Sequence, residues 1–110
     1  MRKLSLDALA RERLENASTA ASGRSAATVY GGHEHALRQT VLALTARTSL
    51  AEHEKPGEAT PLMLRGRVRL TSGDNSSEGR SGDLITVPTA PPQSAGGRGR
   101  AVLLTVAKQG

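Results

Sequence analysis

Residues 62–70 read Leu-Met-Leu-Arg-Gly-Arg-Val-Arg-Leu, an alternation of apolar and basic side chains. Because neighbouring side chains of a strand point to opposite faces, this alternation predicts one long strand. Arg65, Arg67 and Arg69 would then share one face, and we expect that face to be the solvated outer side of a half-buried sheet. An alternative stays open, in which these arginines dock a basic accessory protein onto an acidic partner; nucleic acid is not expected as a partner.

Other parts of the chain carry the same strand signals. Residues 37–45 alternate and then become apolar on both faces, residues 84–87 form a short apolar run stopped by Pro88, and residues 101–107 form a final strand. Between them, Pro56-Gly57, a polar stretch over 72–77 and a Pro- and Gly-rich stretch that includes Arg98 and Arg100 predict turns and loops. The chain is therefore predicted to be all-β, a barrel or sandwich.

The N-terminus differs from this pattern. Apolar residues recur at helical spacing behind Ser5, a plausible N-cap, so residues 5 to about 18 are predicted to form a short amphipathic helix. Residues 18–27 are rich in Ser, Ala, Thr and Gly and are predicted to be a linker. The predicted organisation is a helix and linker over 1–27 and one β-domain over 28–110.

Composition excludes several classes of protein. The chain has 110 residues, a net charge of +5, no Cys and a single aromatic residue, Tyr30. Without Cys there are no disulfide scaffolds, zinc ribbons or thiol catalysis, and with one aromatic ring there is little for a base or sugar to stack on. No apolar run is long enough to span a membrane and the start is too charged for a secretory signal, so a cytoplasmic protein with no membrane partner is expected.

The order of turn residues resembles that of a known family. Gly66 is followed by Gly82 and, after five intervening residues, by Pro88, and His53 precedes them in a polar turn. This resembles the cupin superfamily, in particular its small single-domain, conserved-barrel members. The resemblance covers roughly residues 37–107. It implies a double-stranded β-helix, that is, a jelly-roll barrel, and a homodimer.

The resemblance also indicates where a cupin would bind metal. The four ligand positions of the family fall on His53, Lys55, Ala59 and Gln93. Only His53 is a strong ligand, Gln93 is a weak one, and a protonated lysine repels a divalent cation. The inherited metal site is therefore predicted to be degenerate, and no cofactor is expected.

A second His-x-His pair leaves an alternative open. On a strand, His33 and His35 would lie on one face about 7 Å apart at the backbone. Together with His53 they would supply three nitrogen ligands, with Gln93 as a fourth contact. In this alternative the protein is a metal-dependent cupin enzyme of the oxygenase, isomerase or epimerase type, with a divalent transition metal as cofactor.

The leading hypothesis is a metal-free module that binds a small molecule or has a regulatory role. Because the interior must be filled by aliphatic side chains and Met63 rather than by large rings, a pocket for a partly apolar ligand with a polar head is predicted. The residues predicted to line it are His53, Gln93, His35, His33 and Met63. The expected partners are a small-molecule ligand and a second copy of the chain.

Overall fold

The computed structural model describes residues 1–45, 58–72, 75–85, 93–95 and 99–107. These residues form one helix and seven strands: α1 (Leu6–Thr19), β1 (Arg24–Tyr30), β2 (Leu37–Leu44), β3 (Glu58–Arg65), β4 (Arg67–Ser72), β5 (Asn75–Arg80), β6 (Gln93–Ala95) and β7 (Arg100–Ala107). The strands make two antiparallel sheets. The larger has the order β1-β2-β7-β3, and the smaller has the order β5-β4-β6.

The N-terminal helix is confirmed, and its small residues explain how it packs. The Ser5 side chain caps α1 by accepting a hydrogen bond from the backbone N–H of Ala8 at 3.2 Å. Ala10 and Ala17 are fully buried and pack against Ala43 of β2 and Ala101 of β7. Alanine at these four contact points lets the helix lie close to the larger sheet.

The predicted linker is wrong for its last four residues. Residues 24–27 begin β1, which pairs along its length with β2 in an antiparallel register that runs from Arg24 opposite Leu44 to Thr28 opposite Thr40. A composition of Ser, Ala and Thr predicts a break in regular structure. In the fold, alternate residues of β1 are half-buried against α1, and the strand needs no large side chains there.

The prediction of one strand over 62–70 is also wrong, because Gly66 divides it. Gly66 has a φ of +83°, so the backbone turns sharply and the chain passes from β3 in the larger sheet to β4 in the smaller one. Arg65, Arg67 and Arg69 therefore do not lie along one continuous strand. The alternation of apolar and basic residues continues through this corner, so it does not predict the turn at Gly66.

Two predicted loops contain strands. In the predicted loop 72–77, Ser72 pairs with Asn75, so the hairpin is tighter than expected and 75–77 belong to β5. The tip residues 73 and 74 lie outside the described part. The short strand β6 lies in the predicted loop after Pro88, and Arg100, also predicted to lie in that loop, is the first residue of β7.

The predicted buried strand 84–87 is only partly observed. Leu84 forms an isolated bridge with Leu62 and is 61% exposed, so its predicted burial is wrong. Ile85 does pack inward, against Met63 and Val102. Residues 86–90 lie outside the described residues. The predicted strands 37–45 and 101–107 are confirmed as β2 and β7.

The core lies on both faces of the larger sheet. One face is covered by α1 through the alanine cluster. The opposite face carries Met63 and Val102, with Leu42 and Ile85 packed against them. A side chain added at Gly79 of β5 would lie 2.6 Å from Ile85 and 3.4 Å from Met63, so this second cluster lies between the two sheets. Among the residues that the structure describes, no helix has the length and apolarity needed to cross a membrane.

Candidate functional site

The face of the larger sheet that looks toward the smaller sheet is the candidate site, and we call it the inner face. Alternation assigns residues to it: Leu42 and Val102 belong to the cluster between the sheets, whereas their neighbours Ala43 and Ala101 contact the helix. The same alternation places Leu44 and Arg100 on the inner face, directly opposite each other in the β2–β7 register.

Strand β1 leaves part of this face open to solvent. Arg24, Ala26 and Thr28 lie opposite Leu44, Leu42 and Thr40, so all three share the inner face. They are exposed, while the alternate residues of β1, which face the helix side, are half-buried. Toward β7 and β3 the face closes, because Val102 and Met63 are buried. The inner face is thus accessible from the β1 side.

Arg100 is the unusual residue of the inner face. Its side chain is almost fully buried, with 1% of the residue exposed, and its Nη1 donates a hydrogen bond to the carbonyl of Thr45 at 3.5 Å. Burial lowers the pKa of the Arg100 guanidinium, because removal from water disfavours the charged form. An arginine nevertheless stays protonated at neutral pH, so the sheet holds a cation in its interior.

A second cation, Arg24, lies on the inner face in line with Leu44 and Arg100, and we call these three residues the arginine row. Arg24 and Arg100 flank Leu44 from the two neighbouring strands, so their Cα atoms are about 10 Å apart, twice the usual strand spacing. Arg38 lies on the same face toward the other end of β2. None of β1, β2 and β7 contains an Asp or Glu, so this face is positively charged. Arg24 and Arg100 each also interact with other residues of the chain.

Next to the arginine row, the inner face carries hydroxyl and aliphatic groups instead of charged ones. Thr28 and Thr40 lie opposite each other and place two hydroxyl groups on the inner face. Leu104 faces Thr40 from β7, and Leu42 lies one step nearer the arginine row; both leucines are half-buried. The face therefore combines cations at one end with hydroxyl and aliphatic groups beside them.

Of the residues that the sequence predicted to line a pocket, the structure describes the side chains of His33, His35 and Met63, and the pocket stays a prediction. His33 and His35 lie in the exposed connection between β1 and β2, where the His35 ring lies 5.2 Å from that of Tyr30, centroid to centroid. Met63 is buried in the cluster between the sheets. His53 lies outside the described residues, and Gln93 opens β6, with its backbone opposite Thr71 and its side chain outside what the structure describes.

The described part of the inner face does not fit a divalent metal. Strands β1, β2 and β7 supply no imidazole or carboxylate, and the guanidinium groups of Arg24 and Arg100 would repel a cation. Within the described ranges no three His, Asp or Glu side chains come together as ligands. The metal-enzyme alternative built on His33, His35 and His53 stays a prediction, since His53 is not described.

Two of the arginines predicted to form a docking face contact acidic residues of the chain itself. An Arg65 Nη donates to the Asp7 carboxylate of α1 at 2.7 Å, and this hydrogen bond, together with the charge of Arg65, lowers the pKa of Asp7. Arg67 lies 4.0 Å from Glu78. Arg65 thus fastens the first turn of the helix to β3.

Sequence reasoning missed the arginine row. The glycines at 96, 97 and 99 predict a loop at Arg100, and the composition around Arg24 predicts a linker. One sequence feature does indicate the position of Arg100. It lies two residues before Val102 and four before Leu104, so on a strand it shares their apolar face. The pairing of β1 with β2 had no comparable signal.

The comparisons with known proteins agree on the fold. The sequence matches no protein-family model and no curated protein sequence. The structure is similar to that of a conserved protein of unknown function from Streptococcus pyogenes, with a TM-score of 0.71 and 20% identity over 99% of this chain and 89% of that one. It is also similar to a cupin 2 conserved barrel domain protein from Salinispora arenicola, with a TM-score of 0.66 and 13% identity over 79% and 77% of the two chains.

The similarity extends to part of a larger protein. An HTH_3 family transcriptional regulator from Vibrio cholerae has a TM-score of 0.62 and 14% identity, over 79% of this chain and 52% of the regulator. The two sheets, their strand order and these similarities identify the fold as the cupin barrel with one N-terminal helix. The resemblance stated from Gly66, Gly82 and Pro88 is confirmed at the level of the fold.

Proposed function

We propose that this chain is a small-molecule-binding module whose inner face takes an anionic ligand with an aliphatic part, without help from a metal. The observation that carries the proposal is the row Arg24–Leu44–Arg100, which places two guanidinium groups on either side of an aliphatic side chain. The open β1 side of the face provides the access.

The chemistry of the ligand follows from the groups on the face. A guanidinium presents five N–H donors in a fork that matches a carboxylate or phosphate, and a charge-assisted bond is strongest where water is excluded. Arg24 is exposed and can donate to a ligand oxygen, while the buried Arg100 adds positive charge to the same row. Leu42 and Leu104 offer aliphatic contact, and the Thr28 and Thr40 hydroxyls can donate to or accept from a polar substituent. A carboxylate with a short hydrocarbon chain satisfies all three requirements.

A regulatory role is compatible with this proposal. The Vibrio cholerae protein that contains a similar fold is named as a transcriptional regulator, and the similar region is about half of its length. A ligand-binding barrel of the present kind would act in such a role by changing stability or assembly when the ligand binds. The expected partners are the ligand and a second copy of the chain.

The test compares carboxylates with neutral molecules, and hexanoate, 1-hexanol and hexanamide have the same chain length. Calorimetric titration with butyrate, hexanoate and octanoate is expected to show binding, and 1-hexanol and hexanamide are expected to bind at least tenfold more weakly. Replacing Arg24 by Gln, an exposed position, should weaken carboxylate binding about tenfold or more. Arg80→Gln is the matched control, because Arg80 is an exposed strand arginine next to the inward-facing Gly79. Equal binding of acid and alcohol, or an Arg24→Gln variant as tight as wild type, would contradict the proposal.

A further inference from the structure

A third cation of the inner face lies at the end of β2 away from the arginine row. Arg38 lies opposite Val106 in the regular β2–β7 register, and alternation along β2 puts it on the same face as Leu42 and Leu44. Arg38 and Leu44 are six positions apart in the strand, so their Cα atoms are about 20 Å apart. A carboxylate bound at the arginine row alone leaves Arg38 unused.

The strip of inner face between Arg38 and the arginine row carries no charge. On β1, β2 and β7 the side chains of this strip are aliphatic, apart from the hydroxyl groups of Thr28 and Thr40. The aliphatic residues are Ala26, Leu42, Val102, Leu104 and Val106. Cations therefore lie at the two ends of the strip, with uncharged groups between them.

A β-bulge in β1 keeps the side of Arg38 that faces β1 open. The β1–β2 register is regular up to Thr28, and continued for two more residues it would place Tyr30 opposite Arg38. The bulge between Thr28 and Tyr30 instead pairs Tyr30 with Gln39, a residue of the other face of the sheet. The single aromatic residue of the chain is thereby removed from the inner face.

A glycine takes the place next to Arg38. Gly31 has a φ of +116°, and a Cβ atom added to it would lie 2.9 Å from the Cα of Arg38. The backbone of Gly31 thus lies directly against Arg38 and puts no side chain beside it. Arg38 is exposed, and within the described ranges no residue forms a hydrogen bond or an ion pair with its side chain, the exposed Glu34 of the neighbouring turn included.

We infer that Arg38 forms a second anion subsite of the inner face, so that the preferred ligand is a long, linear α,ω-dicarboxylate; this inference rests on the proposed function. One carboxylate binds at Arg24 and the other at Arg38, each through the paired N–H donors of a guanidinium. The hydrocarbon chain between them lies on the aliphatic strip. Arg24 and Arg38 are both exposed, so their long side chains can swing over the strip and shorten the gap. Sebacate and dodecanedioate fit this arrangement, and succinate is too short.

A comparison of sebacate with decanoate separates the second subsite from simple aliphatic contact, because the two molecules have the same number of carbon atoms. Aliphatic contact alone favours decanoate, since the second carboxylate of sebacate loses water on binding. Tighter binding of sebacate therefore requires a cation at the far end of the strip.

Calorimetric titration is expected to show that sebacate binds about tenfold or more tightly than decanoate. Arg38→Gln should remove this preference and leave the affinity for decanoate within about twofold of wild type. Arg80→Gln is the matched control, because it changes the net charge by the same amount at an exposed arginine of the smaller sheet, and it should keep the preference. A wild type without the preference, or a preference that survives Arg38→Gln, would overturn the inference.

Reversing the charge at position 38 tests which end of the ligand lies there. Arg38→Glu is expected to bind ω-aminodecanoate more tightly than sebacate, because an ammonium group then meets a carboxylate at the far end of the strip. The wild type should show the opposite order, and the same order in both proteins would contradict the inference.

The second subsite and the proposed function fail in different ways. Decanoate that binds in an Arg24-dependent manner, with no gain for sebacate, would overturn the subsite at Arg38 and leave the proposed function standing. Binding of neither molecule would overturn both.

Discussion

Gly66 and Arg100 meet at the corner of the barrel, where a Cβ atom added to Gly66 would lie 2.9 Å from the Cβ of Arg100 and 2.7 Å from the carbonyl oxygen of Gly99. The close approach brings the turn between β3 and β4 against the start of β7. It leaves no room for a side chain at residue 66 beside the Cα and Cβ atoms of Arg100. The corner therefore depends on one glycine.

Gly66→Ala is expected to destabilise the protein by about 3 kcal/mol or more, because it adds a clash to the cost of a left-handed backbone. Gly82→Ala is a matched control, since Gly82 has a φ of +92° but nothing within 4 Å of the added Cβ. That variant should cost about 1 kcal/mol. Chemical denaturation measures the free energy of unfolding of both variants. Equal losses in the two variants would show that the close approach of Gly99 and Arg100 to Gly66 adds no cost.

The close contact between α1 and the larger sheet leaves room only for a small side chain at position 10. Ala10→Leu places three extra carbon atoms in the cluster of buried alanines and should destabilise the protein by about 1–3 kcal/mol. Ala8→Leu, at an exposed position two residues earlier on the same helix, should change stability by less than about 0.5 kcal/mol. The denaturation midpoints of the two variants check this, and a well-tolerated Ala10→Leu would mean that α1 does not pack closely on β2 and β7.

The ion pair between Asp7 of α1 and Arg65 of β3 should make the stability of the protein depend on pH. The hydrogen bond from Arg65 and its charge lower the pKa of Asp7 in the folded chain below its ordinary value of 3.8. A group with a lowered folded pKa stabilises the fold above its unfolded pKa, and that contribution is lost as pH falls through the folded pKa. Asp7→Asn should therefore reduce stability at pH 7, and this reduction should become smaller as the pH falls below 3.8.

NMR titration measures the same effect at the carboxyl group. The pKa of Asp7 is expected to lie below 3.8 in the wild type and to rise toward that value in Arg65→Gln. Arg11→Gln is the matched comparison, since Arg11 contacts Asp7 at a longer distance of 3.3 Å and should shift the pKa less. An Asp7 pKa that is the same in wild type and Arg65→Gln would show that the ion pair does not form in solution.

The sequence predicted local structure well wherever one signal decided it. Periodicity was sufficient for α1, β2 and β7, and the turn residues Gly66, Gly82 and Pro88 pointed to the cupin fold. The break at Gly66 was missed, because alternation of side chains does not report the sign of φ. The site was largely missed, because the row Arg24–Leu44–Arg100 arises from pairing across three strands, and β7 is far from β1 and β2 in sequence.

Binding of a carboxylate at the inner face can be followed by backbone amide NMR shifts during titration with hexanoate. Concentration-dependent shifts are expected in residues 24–28 of β1, 40–44 of β2 and 100–104 of β7. These shifts should be much smaller with 1-hexanol at the same concentrations. Shifts confined to the β1–β2 turn at His33 and His35, or to α1 on the opposite face, would contradict it.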